Sequence, residues 1–151
     1  MQKKEFYIYE LNYIPAITEK RFIYNDYVCV ILMQDMCHRC GYVKIPKDHP
    51  LYLTDMNLLH EVIRCYGGIT YAEEFLFGQD DEECWWIGFD CNHFMDGKDF
   101  NKAKELFKDY PENLKYIKEL EETYSRHQFK NEPVTLEFCE ETCKAIVNQI
   151  F

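Results

Sequence analysis

The pattern of apolar and polar positions along the chain changes texture near Gly97. Before that point short runs dominate. EFYIYELNY (5–13) mixes aromatics with alternation, as a half-buried strand does. YVCVILM (27–33) is a continuous run rich in β-branched residues, the pattern of a central strand. GYVKI (41–45) follows a short turn, so the two runs predict a hairpin with MCHRCG at its tip. Thr54 predicts the cap of a short helix over 55–64, with Leu58, Leu59, Val62 and Ile63 on one side. GGITYAE (67–73) and CWWIGFD (84–90) predict two further strands, separated by the acidic loop GQDDEE.

After Gly97 the apolar spacing becomes three to four residues. Asp99 caps a predicted helix with Ala103, Leu106, Phe107 and Tyr110 on one face, and Pro111 ends it. Leu114, Ile117, Leu120 and Tyr124 mark a second helix. Leu136, Cys139, Cys143, Ile146, Val147 and Ile150 form the clearest stripe, with Thr135 as its cap. Strands first and helices later predict an α+β fold: an antiparallel sheet of about four to five strands with the C-terminal helices packed on one face. No Gly/Ser linker and no repeat divides the chain, so we read one domain over 1–151, strand-rich to residue 96 and helical from 97.

Charge narrows the partners. There are 27 acidic residues against 17 Lys and Arg, a formal net charge of −10. Direct nucleic-acid binding needs a basic face for the phosphates, and none is visible. An acidic protein is drawn instead to basic proteins. No apolar run reaches the length of a signal peptide or a membrane span, which predicts a cytoplasmic location with no membrane partner. Eight cysteines in such a chain suggest thiols and metal rather than a disulfide scaffold.

Three stretches carry candidate chemistry. CHRCG (37–41) has the shape of a zinc knuckle, in which a tight turn aims Cys37 and Cys40 at one ion and Gly41 permits a left-handed residue. A redox reading would want the motif at a helix start, whereas strands flank it here. In CWWIGFDCNHFMD (84–96) the aromatic run predicts a rigid strand, and Cys91 and His93, two apart, would face one side at its end. Asp90 would point the other way and support a site from behind. In KDHP (47–50), His49 joins these if its loop folds toward Cys91 and His93. Sulfur with imidazole suits Zn²⁺. The predicted ligand pool is therefore Cys37, Cys40, His49, Cys91 and His93, with Cys65 in reserve. Cys29, Cys139 and Cys143 lie in apolar stripes and read as core. His60 and His127 have no evident partner.

CGYVKIPKDHPLY, GGITY and WWIGFDCNH followed by Asp96, in that order, resemble a family of short proteins encoded by bacteriophages and prophages. The family closes with a helix rich in Glu and Cys, as LEFCEETCKAI does here. The resemblance covers roughly residues 27–96 and 134–150, and the Trp-Trp to His segment is its most specific part. The family is similar to anti-CRISPR proteins that inhibit type II-A Cas9, among which a zinc-bound form is known. The resemblance carries over at Cys40, His49, Cys91 and His93, with Asp90 and Asp96 matching. Many relatives have His where this chain has Tyr66, and Cys37 is peculiar to this chain.

Two function classes follow. The first is a protein inhibitor of Cas9 with a structural zinc and no catalytic residues, its acidic surface (the loop of Asp80, Asp81, Glu82 and Glu83 above all) meeting a basic channel. The alternative is a zinc-dependent hydrolase acting on a nucleotide or other small substrate, with Asp90 or Asp96 as base. No recognised hydrolase motif supports the alternative.

Overall fold

The computed structural model describes residues 12–93, 95–127 and 131–151. Five antiparallel strands form one sheet: β1 (Ala16–Tyr24), β2 (Tyr27–Gln34), β3 (Arg39–Pro46), β4 (Tyr71–Glu73) and β5 (Cys84–Asp90). Their spatial order is β1-β2-β3-β5-β4. Four helices complete the described residues: α1 (Met56–Val62), α2 (Phe100–Leu106), α3 (Pro111–Arg126) and α4 (Leu136–Ile150). The α+β expectation holds.

Alternation sorts the sheet into two faces. Cys29, Ile31, Val43, Ile45, Ile87, Phe89 and Cys91 face α4, which returns Cys139, Cys143, Ile146 and Val147. Each of those aliphatic side chains removed from water contributes about 1.5–3 kcal/mol. Gly41 lies directly opposite Phe89, and a Cβ there would overlap the Phe89 ring and meet Cys143 Sγ at 3.0 Å. This glycine is a packing slot inside β3, not the turn residue. The left-handed position of the hairpin tip falls to Cys37 instead, at φ 71°.

The opposite face gathers Val30, Leu32, Cys40, Tyr42, Cys84 and Trp86, covered by Leu76 and Phe77 from the loop after β4. The two tryptophans thus part company. Trp86 is fully buried on this face. Trp85 packs on the α4 side and donates Nε1–H to the Thr54 carbonyl at 2.9 Å. A third cluster lies beyond the hairpin tip, where Met33 and Cys37 meet Ala103, Phe107 and Ile117.

Several expected boundaries shift. β1 was not expected. Its register slips between Thr18 and Lys20, a bulge that breaks the alternation of TEKR. The expected strand over 5–13 lies largely outside the described residues, and Asn12 and Tyr13 are not in a strand. Asp55, not Thr54, caps α1, accepting from Leu58 N–H at 3.0 Å. α1 buries Leu59 and, just past its end, Ile63, and leaves Leu58 and Val62 exposed. Only Tyr71–Glu73 of GGITYAE is strand, because Gly67 and Gly68 take positive φ. Pro111 does not end a helix. It opens α3, where its missing N–H costs nothing. The caps at Asp99 and Thr135 stand as expected.

A charged network bolts the hairpin-tip end together. Arg39, 5% exposed, holds Glu19 (2.6 and 3.1 Å), Asp99 (2.9 Å) and the Val134 carbonyl (2.8 Å). The β1 bulge is what turns Glu19 inward to meet it. This ties β1, β3, the cap of α2 and the entry to α4 to one guanidinium.

Candidate functional site at the end of β5

The antiparallel pairing of β3 with β5 sets where each candidate ligand falls. Cys40 pairs with Asp90 at one end, and Pro46 with Cys84 at the other. Six residues of strand separate them, about 20 Å. His49 follows Pro46, so it stands at the far end from Cys91 and His93. There its ring is saturated by backbone: Nε2 lies 2.9 Å from the Ile150 carbonyl, and Nδ1 accepts from Leu51 N–H at 3.0 Å. The loop carrying His49 does not fold toward Cys91.

The other candidates also separate. Cys37 is buried among Met33, Ala103 and Phe107, and Cys40 lies on the Trp86 face. Cys91 points to the α4 face, with its Sγ 3.6 Å from Cys139 Sγ. Burial pushes the Cys37 and Cys40 thiols up to about 12. The contact with Cys139, reinforced by burial, pushes Cys91 far up as well. Cys65, the reserve ligand, is raised by burial to about 11. At neutral pH these are protonated thiols that pack as small hydrophobes. A zinc site needs three or four donors around one point. Among the described residues no group of three or more His, Cys, Asp or Glu is arranged to hold a metal. The five candidate donors do not fit one ion in this arrangement.

What the structure does bring together is His93, Asp96, Tyr66 and Asp90. Asp96 accepts from His93 N–H at 2.9 Å, pairs with His93 Nδ1 at 2.8 Å and accepts from the Tyr66 hydroxyl. Burial works against the Asp96 carboxylate, but the bonds from Tyr66 and His93 outweigh it and hold its pKa below the usual value. With Nδ1 committed to a carboxylate, His93 presents Nε2 toward Asp90, 3.8 Å from Oδ1. The Tyr66 ring stands edge-on to the imidazole at 5.0 Å between centroids. The glycine pair now has a cause beyond turn geometry. A side chain at Gly67 would strike the His93 ring, and one at Gly68 would strike His60. His60 itself bonds the Ile69 carbonyl at 3.2 Å, and His127 bonds the Thr123 carbonyl at 2.9 Å.

A pocket of about 420 Å³ opens beside this cluster, lined chiefly by Asn92, His93, Asp96, Lys98, Phe100 and Tyr124. Strand β5 supplies the rigid approach, the 91–99 connection the polar groups, and α2 and α3 the aromatic wall. Phe100 and Tyr124 meet edge-on at 5.4 Å. Lys98 is half-buried, and burial lowers its pKa. Nearby, His38 at the hairpin tip keeps a buried Nδ1 with no hydrogen-bond partner among the described residues, and burial lowers its pKa to about 4.

The acidic loop divides on inspection. Asp81 is a structural residue: it chelates Arg21 (3.1 and 3.0 Å) and Lys44 (2.8 Å). The Arg21 hydrogen bond comes first among the influences that bring its pKa down to about 2. Asp80, Glu82 and Glu83 are exposed, and Glu83 pairs loosely with Lys47 at 3.0 Å. Glu73 and Glu74 at the end of β4 extend the same acidic edge.

Sequence reasoning passed over Lys98 and Arg39 and read Tyr124 only as part of a helix stripe. The signal for the His93–Asp96 pair was present, since a three-residue separation past a strand end suits a turn closed by a carboxylate. No family model matches the chain, and no curated protein or solved structure matches it either. The resemblance carried by the Trp-Trp to His segment therefore rests on its motifs alone. Among the described residues no helix is long and apolar enough to cross a membrane.

Proposed function

We propose that this chain is a phage-type binding protein that inhibits type II-A Cas9 in the host cytoplasm by occupying basic surface the nuclease needs for DNA. The observation that supports this reading is the acidic edge of the sheet. Glu73, Glu74, Asp80, Glu82 and Glu83 are all exposed there. Among the described residues, Glu73, Glu74 and Glu82 have no cation within ion-pairing distance. A nuclease channel built for a nucleic-acid backbone is strongly positive, and such an edge steers toward it. β4 is only three residues long, so the edge offers charge and little backbone for strand addition. The reading takes its support from the acidic edge and not from the expected zinc. The test is capture of Cas9, with and without guide RNA, on the immobilised chain. Capture that fades as salt rises is the expected result. No capture at low salt by folded protein overturns the reading.

One observation favours a second reading. A histidine oriented by a buried carboxylate at the mouth of a pocket is what general-base catalysis requires. A small-substrate hydrolase would use His93 as base and Asp96 to hold its tautomer. Hydrolytic activity lost in His93→Gln, with no effect of the chain on Cas9, would select this reading over the first.

A further inference from the structure

We propose that the pocket at the end of β5 binds a planar ligand bearing one anionic group, of the chemical class of a nucleoside monophosphate. The inference rests on the pocket alone and on neither functional reading. Lys98 carries it. A half-buried lysine usually meets a carboxylate or turns its head to water, and this chain has acids in excess. Yet among the described residues Lys98 pairs with no carboxylate. Its ammonium reaches only Asn92 Oδ1 at 3.2 Å and lies 5.8 Å over the Tyr124 ring. Among the described residues no carboxylate offsets the burial that lowers its pKa.

The nearest acid of the pocket wall is already committed. Asp96 is 5% exposed at its side chain and is bound by His93 and Tyr66. The pocket therefore offers one half-buried cation, Lys98, for an anionic group, with the His93 ring as a neighbouring wall. Two aromatic side chains, Phe100 and Tyr124, line the same pocket and suit a flat ring. The volume of about 420 Å³ falls in the range of small-ligand sites. A bare inorganic anion would leave the Phe100 and Tyr124 wall unused. A neutral base would leave Lys98 unpaired.

The experiment titrates full-length protein with adenosine, guanosine, cytidine and uridine 5′-monophosphates, with inorganic phosphate and the free nucleosides as separate arms. Backbone amide NMR reports the site. Saturable binding of at least one monophosphate at or below about 1 mM is expected, with shifts centred on Asn92, His93 and Lys98. Lys98→Met keeps the stem over Tyr124 and removes the charge, so it should weaken binding about tenfold or more. Lys98→Arg should retain binding, which separates charge from fold. Tyr124→Leu should weaken the monophosphate more than phosphate alone. The proposal is overturned by no saturable binding of any monophosphate, by equal affinity in Lys98→Met, or by inorganic phosphate or a free nucleoside binding as tightly as the nucleotide.

Discussion

His49 and His93 are alike in sequence, each a lone histidine just past a strand and each a candidate ligand, yet the fold treats them oppositely. At the α4 C-terminal end of the sheet, His49 spends both ring nitrogens on backbone and staples its loop to the Ile150 carbonyl. At the other end, His93 spends one nitrogen on Asp96 and turns the rest of its ring to a pocket. The first is a structural histidine with no capacity left. The second is oriented and available. The difference lies in the partner of Nδ1, a backbone donor in one case and a buried carboxylate in the other. No spacing rule distinguishes the two.

The largest effect should come from the network that holds the pocket end. Arg39→Ala leaves Glu19, 3% exposed at its side chain, as an unpaired buried charge. Urea denaturation should show a loss of about 3–5 kcal/mol. A loss under about 1 kcal/mol would mean that the network does not bolt that end together.

Next comes Asp81. Its carboxyl titrates at about 2 in the fold against 3.8 unperturbed. A depressed folded pKa stabilises above the unfolded value, so this contribution is complete above about pH 4 and is lost as pH falls toward 2. It should amount to roughly 2 kcal/mol, and Asp81→Asn should remove it at neutral pH and flatten the acid limb of the stability curve. An unchanged acid limb in the variant would return Asp81 to the solvated loop that its sequence suggests.

The two histidines give the sharpest comparison. His49→Ala removes two hydrogen bonds and should cost about 1–2 kcal/mol. His93→Ala should cost under about 1 kcal/mol, because its ring is a third exposed and Asp96 keeps Tyr66 and the backbone N–H. In wild type, imidazole ¹⁵N shifts should place the proton of neutral His93 on Nδ1. The opposite order of stabilities, or an Nε2–H tautomer at His93, would break the comparison.

The smallest effect on melting should come from metal removal. With His49 at one end and His93 at the other, dialysis against a strong chelator should leave the melting temperature unchanged. A fall of several degrees would show a structural metal and return zinc to the account, with donors other than His49 and His93 together.

Much of the fold was legible because its signals are local. CWWIGFD is strand over its full length, and Asp99 and Thr135 cap as their side-chain chemistry dictates. β1 was not legible, because the bulge at Glu19 interrupts its alternation and serves a contact with Arg39 on another strand. The site was half legible. His93 and Asp96 stood in the sequence as candidates. Their separation from His49, Cys40 and Cys91 follows from strand pairing and from which sheet face each residue takes, and neither can be read from spacing alone. Lys98 looked like any surface lysine until α3 placed Tyr124 beneath it.

The most direct test of the proposed function is Cas9 cleavage of a matched DNA target, titrated with wild type and with Glu73, Glu74 and Glu82 all changed to Lys. Asp81 is left intact, so stability should change by no more than about 0.5 kcal/mol per site. The account predicts dose-dependent inhibition by wild type, weaker inhibition by the variant, and a gap between them that narrows as salt screens the charges. Cleavage unaffected by folded wild type at a large excess over Cas9 would contradict it.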